Sequence, residues 1–222
     1  MGLSQRVAAE FLGTLLLLAC VVGSGVMGVN LAQGNDAIAL LANAAATAGI
    51  LYMLIVCFGP ISGAHFNPVV SLVMRLRGEL STGAMLAYFA AQVVGAVLGV
   101  MLAHAMFDLP LLQAGVHART GNAQWLSEGV ASFGLLLTIL LGVRHRPTAV
   151  PALVAGYIFA AYWFTASTSF ANPAVTLARS FTTTFAGIRP EDVGGFVLAQ
   201  IAGALLAAAL VQLWRRDDSS QG

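Results

Sequence analysis

The sequence predicts an all-α membrane protein with six transmembrane helices and two re-entrant half-helices arranged as an inverted repeat. Three observations support this fold class. Only 9% of the 222 residues are charged and 59% are hydrophobic, whereas an ordinary soluble domain carries about 25% charged residues. Six apolar segments reach the length of about 20 residues that crosses a bilayer. Two further apolar segments are each interrupted by an Asn-Pro pair, Asn67-Pro68 and Asn172-Pro173.

The six predicted spans cover roughly residues 7–29, 37–58, 82–107, 125–143, 149–166 and 193–214. The first could be a cleaved signal sequence, but its apolar stretch is longer than a typical signal core, so we interpret it as a retained span. The shorter apolar segments, 59–78 and 167–185, are the predicted re-entrant ones. The positive-inside rule places both termini in the cytoplasm, because most arginines fall on one side: Arg6, Arg75, Arg77, Arg144, Arg146, Arg215 and Arg216, against Arg119, Arg179 and Arg189 on the other.

The two halves of the chain resemble each other. Glu10 in AAEFLG corresponds to Glu128 in LSEGVA, and AQVVGAVLG at 91–99 corresponds to AQIAGALLA at 199–207. Each half holds three spans and one re-entrant segment, and since three is odd, the second half must enter the membrane inverted. We therefore expect one transmembrane channel domain over residues 1–222, with repeats at about 1–110 and 120–216. Inverted repeats with broken helices are typical of proteins that conduct solutes.

The Asn-Pro pairs predict two helix starts inside the membrane, because Asn is a strong N-cap and Pro is favoured at the first helical position. From Asn67 to Arg77 the helix would extend about 15 Å, half of a bilayer. In the inverted copy the helix beginning at Asn172 would run the opposite way, so the two N-termini would meet at the centre. Their dipoles would repel cations there, and the asparagine NH₂ groups could donate hydrogen bonds to small neutral molecules.

The motifs SGAHFNPVVSL at 62–72 and ANPAVTLA at 171–178 resemble the two pore motifs of the aquaporin, or major intrinsic protein, family. The resemblance implies a homotetramer in the lipid bilayer with one pore per subunit, passive permeation of water or glycerol-type solutes, and no enzymatic activity, cofactor or metal. It assigns Glu10 and Glu128 the role of bracing the re-entrant loops, with a proton relay as the alternative. His65 corresponds to the histidine of the family's loop and either shapes the turn or acts as a gate.

One departure from the family pattern concerns the constriction. The family usually has an arginine directly after the second Asn-Pro-Ala, and this chain has Val175. Counting from the asparagines transfers the family's other constriction positions to Thr47, Ala160 and Ser169. These four side chains are small or short and uncharged, so we expect a widened, arginine-free constriction that admits polyols, urea or neutral metalloid species. The valine resembles a bacterial branch of the family associated with arsenic-resistance genes, which favours the bacterial inner membrane as the location.

Arg179 lies four residues after Val175, one helical turn further along nearly the same face. Two interpretations remain open for it. It is either a displaced selectivity charge at the vestibule or an arginine that extends its head group to the membrane interface.

Other function classes find less support in the sequence. A secondary active transporter, the main alternative, needs a coupling-ion site, and only Glu10 and Glu128 provide carboxylates inside the predicted spans. An intramembrane enzyme needs a nucleophile–base pair or a metal motif, which the sequence does not show. The formal net charge of +1 offers no basic patch for nucleic acid.

Overall fold

A computed structural model describes residues 1–220, and beyond Trp214 it describes only that the backbone continues as helix. Arg215 and Arg216, which entered the prediction of orientation, therefore have side chains outside the described part. Six described helices are long and apolar enough to cross a membrane, and the predicted fold class is confirmed. The helices are α1 (Leu3–Leu31), α2 (Asp36–Ser62), α3 (Pro68–Leu76), α4 (Thr82–Met106), α5 (Asn122–His145), α6 (Val150–Phe164), α7 (Pro173–Ala178) and α8 (Val193–Ser220).

The helices begin and end where capping residues satisfy the backbone. Asn35 caps α2 by accepting hydrogen bonds from the backbone N–H groups of Ala37 and Ile38, and Ser81 caps α4 in the same way. The chain leaves α2 at Gly63, whose φ of 90° lies in the left-handed region that glycine adopts without strain. The first predicted re-entrant segment, 59–78, therefore begins as the last turn of α2.

Equivalent helices of the two halves pack in equivalent ways. In the first half α1 packs on α4 and on α2, and in the second half α5 packs on α8 and on α6. Glycines allow the closest approach. A Cβ on Gly99 of α4 would overlap the carbonyl oxygen of Leu15 in α1, and a Cβ on Gly203 of α8 would overlap the carbonyl oxygen of Gly129 in α5.

The half-helices α3 and α7 lie at the centre of this bundle. Both contact α4 and α8, and they also contact each other. Asn67 caps α3 by accepting from the N–H of Val69, and Pro68 follows as the first helical residue. Asn172 caps α7 by accepting from Ala174 and Val175, ahead of Pro173. Both predicted helix starts are confirmed.

The glycine contacts lead to a first prediction. We expect Gly99→Ala to lower the stability of the folded protein, because the added methyl group would also come within 2.9 Å of the Leu18 Cβ, and such overpacking costs about 1–3 kcal/mol. Thermal denaturation in detergent measures the effect. The control is Gly49→Ala on an exposed face of α2, where an added Cβ meets nothing within 4 Å. Equal melting temperatures for the two variants would contradict the proposed packing.

Candidate functional site

The two half-helices are joined by reciprocal hydrogen bonds from their capping asparagines. The Asn67 Nδ2 donates to the carbonyl oxygen of Ala171 at 2.7 Å, and the Asn172 Nδ2 donates to the carbonyl oxygen of Phe66 at 2.8 Å. Each NH₂ group carries two hydrogens, so each retains one N–H beyond this bond. Both asparagines are buried and line one cavity at the centre of the bundle.

Glu10 holds the first re-entrant loop. Its Oε1 accepts hydrogen bonds from the Ser62 hydroxyl at 2.6 Å and the His65 backbone N–H at 2.9 Å. Its Oε2 accepts from the Phe66 N–H at 2.6 Å and the Gln92 side chain at 2.8 Å. Four donors therefore satisfy a carboxylate that is fully buried. A buried charge needs such partners to be tolerated.

Glu128 holds the second loop in the equivalent way. It accepts from the backbone N–H groups of Phe170 and Ala171, both at 2.9 Å, and from the Gln200 side chain at 2.6 Å. Neither Glu10 nor Glu128 is among the residues that line the cavity. These contacts favour the bracing role over the proton relay, because a relay must reach the path along which protons move.

The cavity has a volume of about 150 Å³ and passes both asparagines. Its walls are mostly aliphatic, and they extend from α3, α5 and α6 to α1 and α2. Polar side chains are concentrated beyond the asparagines on the α7 side, where Thr47, Tyr162, Ser169 and Arg179 line the wall. The aliphatic lining includes Leu17, Val21, Leu51, Ile55, Val70, Leu135, Ile139, Val143, Val150, Val154 and Ile158.

Three of the four predicted constriction positions line the cavity, namely Thr47, Ser169 and Val175. The prediction for Ala160 is wrong, since this residue is exposed on the outer face of α6. Tyr162 lines the cavity instead, and its hydroxyl lies 3.3 Å from the Thr47 Oγ1. Two residues on a helix point about 200° apart. The transfer by counting from Asn172 assumed no gap between α6 and the second motif. It therefore selected Ala160 on the outer face of α6 in place of Tyr162, which lines the cavity.

Arg179 adds a charged side chain to the cavity wall near the uncharged positions Thr47, Ser169 and Val175. It is 2% exposed and lines the cavity, so the interpretation as an interfacial arginine is wrong. Its Nε donates to the carbonyl oxygen of Ala186. Its guanidinium carbon lies 3.3 Å from the centre of the Phe170 ring, close enough for a cation–π contact. Val175 and, one turn further along the chain, Arg179 therefore line the same cavity.

Sequence analysis missed Arg119, which lies between α4 and α5. Its Nε donates to the Gly187 carbonyl at 2.9 Å and its Nη1 to the Ser167 carbonyl at 3.2 Å. Its guanidinium carbon lies 4.9 Å from the centre of the Phe170 ring. A single arginine in a connecting segment carries no periodicity or motif, so no signal in the sequence pointed to this contact.

His65 also lines the cavity. One ring nitrogen, Nδ1, lies 2.9 Å from the Ser71 hydroxyl, and the ring packs edge-on against Tyr88 with centres 5.3 Å apart. Both contacts tie the loop to the helices around it, which favours the role of shaping the turn.

Comparison with known proteins agrees with this architecture. Residues 1–159 match the family described as Major intrinsic protein. The chain belongs to the major intrinsic protein family. The family consists of channels rather than enzymes, so family membership places the chain among membrane channels.

Individual members of the family show how far the similarity extends. The chain is 60% identical over 210 residues to the Aquaglyceroporin AqpS of Rhizobium meliloti (strain 1021), covering 95% of this chain and 90% of that protein. It is 30% identical over 227 residues to Aquaporin PIP2-7 of Arabidopsis thaliana, covering 94% of this chain and 80% of that protein. The X-ray structure of the aquaglyceroporin from Plasmodium falciparum has the same fold, with a TM-score of 0.74 at 19% identity over 94% of this chain and 95% of that chain.

The glutamate contacts give a second prediction. In Glu10→Gln and Glu128→Gln one carboxylate oxygen becomes an NH₂ group that faces hydrogen-bond donors. Losing a buried hydrogen bond to a charged group costs about 1.5–3 kcal/mol, so we expect a lower melting temperature and a lower folded yield. Glu79→Gln is the matched control, since Glu79 is exposed at the surface. If all three variants have the same melting temperature as the parent, the two glutamates do not brace the loops.

Proposed function

We propose that the protein is a passive channel for water and small neutral solutes of the glycerol class. The observation that carries the proposal is the placement of two asparagine NH₂ groups at the middle of a mostly aliphatic cavity. Aliphatic walls offer a solute no competing hydrogen bonds. A molecule with hydroxyl groups can therefore accept from the asparagines while it passes along an otherwise inert surface.

The side chains beyond the asparagines add a polar side to the path. The hydroxyl groups of Thr47 and Tyr162 and the guanidinium of Arg179 lie on the wall of the same cavity. A polyol carries both donors and acceptors, so it can exchange hydrogen bonds with these groups in turn. Tyr162 and Arg179 are also bulky, so we expect glycerol-sized molecules to pass and larger ones to be excluded.

The relatives support this choice of solute. The printed name of the protein that is 60% identical is aquaglyceroporin, and the solved structure with the same fold is also of an aquaglyceroporin. We further propose that the chain forms a homotetramer in a bacterial inner membrane, with both termini in the cytoplasm. The resemblance to the family supports the tetramer, and the distribution of arginines supports the orientation.

Secondary active transport is less well supported. Coupling to an ion gradient would need a carboxylate that faces the path, and the two buried glutamates of the described spans are both engaged by loop amides instead. We therefore propose that flux follows the solute gradient alone.

Reconstitution into liposomes tests the function directly. We expect stopped-flow light scattering to show faster water and glycerol permeation than in protein-free liposomes, unchanged by an imposed proton or sodium gradient. The half-helix geometry is the reason, because it provides hydrogen-bond donors but no coupling site. Rates that match protein-free liposomes for both solutes would reject a channel, and acceleration by an ion gradient would favour the transporter.

Replacement of Arg179 tests the polar side of the path. We expect Arg179→Ala to raise the glycerol-to-water permeability ratio, because the guanidinium no longer occupies the cavity wall. A barrier lowered by about 1 kcal/mol corresponds to a roughly five-fold rise. The control is Arg77→Ala, which removes an arginine that pairs with Glu79 at the surface. An unchanged ratio in Arg179→Ala would mean that Arg179 does not limit the passage of glycerol.

A further inference from the structure

Two guanidinium groups contact one aromatic ring at the polar end of the cavity. The guanidinium carbon of Arg179 lies 3.3 Å from the centre of the Phe170 ring, and that of Arg119 lies 4.9 Å from it. The two side chains are anchored on consecutive carbonyl groups, those of Ala186 and Gly187. The protein thus holds two positive charges next to each other at the edge of the cavity.

No carboxylate in the described part of the chain forms an ion pair with either guanidinium. Asp192 accepts from the backbone N–H of Arg119, but its ion pair is with Arg189. Glu128 lies nearby but accepts hydrogen bonds from the second re-entrant loop. The partners of the Arg119 and Arg179 side chains are neutral carbonyl groups. Two adjacent cations repel each other, and an anion would relieve that repulsion.

Two residues that line the cavity at the same place, Arg179 and Ser169, have unused hydrogen-bond donors. The two terminal nitrogens of Arg179 have no hydrogen-bond acceptor among the described residues, although the side chain is 98% buried by its 2% exposure. The hydroxyl of Ser169 is also buried without a partner, at 3% exposure, and Ser169 lines the same cavity. Buried polar groups are nearly always hydrogen-bonded in native proteins. These donors can bind acceptor oxygens, and the two adjacent positive charges favour oxygens that carry negative charge.

We propose that this end of the cavity binds a small, planar, monovalent oxyanion. Two of its oxygens accept from the terminal nitrogens of Arg179, since a guanidinium presents paired donors that match such an anion. The Ser169 hydroxyl donates a further hydrogen bond. Arg119 does not line the cavity and acts behind Phe170, where it adds the second positive charge and holds the ring. The bound anion occupies the path and so reduces the permeation of water and neutral solutes.

The inference rests on the proposed channel function and is tested separately from it. The probe is nitrate, which is planar, monovalent and fully ionised at neutral pH. Sodium gluconate at the same concentration controls for ionic strength, because its polyhydroxy chain is too bulky for the site. We expect nitrate to raise the melting temperature of the detergent-solubilised protein above its value in gluconate, since a ligand that binds the native state stabilises it. We also expect nitrate, present on both sides of the liposome membrane, to lower water permeability with a saturable concentration dependence.

Charge-removing variants locate the site. We expect Arg179→Gln to abolish both effects of nitrate, and Arg119→Gln to weaken nitrate binding about ten-fold, the scale of one partly screened charge. Arg119→Lys keeps the charge, so it should weaken nitrate binding less than Arg119→Gln does. Arg77→Gln, on the opposite side of the membrane, is the control that should respond to nitrate as the parent does.

Three results would overturn the inference. The first is a melting temperature and water permeability that are the same in nitrate and in gluconate. The second is an unchanged nitrate effect in Arg179→Gln, which would place the anion elsewhere. The third is equal weakening by Arg119→Gln and Arg119→Lys, which would give Arg119 a purely structural role. A different result would reject the channel function, namely no water permeation above protein-free liposomes in gluconate. In that case the melting temperature in nitrate would still measure anion binding.

Discussion

Two reciprocal hydrogen bonds from the capping asparagines hold the two half-helices end to end at the centre of the bundle, and the rest of the structure depends on them. The residues directly before the asparagines, Phe66 and Ala171, have left-handed φ angles of 49° and 48°. The N–H of each residue donates to the glutamate of its own repeat. The carbonyl oxygen of each accepts a hydrogen bond from the asparagine of the other repeat. Non-helical backbone at this depth is tolerated only where protein or water satisfies it. The paired hydrogen bonds meet that condition and offset the strain of two non-glycine residues in this region.

The inverted repeat follows from this constraint. A single half-helix would satisfy its own first turn but would leave the carbonyl group before its capping asparagine unsatisfied in the apolar centre. A second, oppositely directed copy presents an asparagine side chain to that carbonyl group. The long helices around the half-helices then need to pack closely against each other in both halves. Equivalent glycines, such as Gly95 in α4 and Gly203 in α8, provide this by letting the long helices of each half approach closely.

Sequence patterns predicted the features that repeat and missed those that occur once. The three spans and the asparagine cap of one half recur in the other half, so each copy supported the interpretation of the other. Tyr162 was missed because transfer by counting depends on the length of the loop between α6 and the second motif, which the sequence does not reveal. Arg119 was missed for a related reason. It reaches Phe170 from a connecting segment, and no local spacing predicts a contact between residues so far apart in the chain.

The half-helices themselves explain why Arg179 faces the cavity. Three and seven residues after Asn67 come Val70 and Met74, and at the same distances after Asn172 come Val175 and Arg179. All four line the cavity, because positions spaced by three and seven residues share one face of a helix. The two half-helices thus place equivalent positions on the cavity wall. At the first position both halves have valine, and at the second the first half has Met74 and the second half has Arg179. Methionine in one half and arginine in the other make the cavity lining symmetric in backbone and asymmetric in charge, without any change in the hydrogen bonds that join the half-helices.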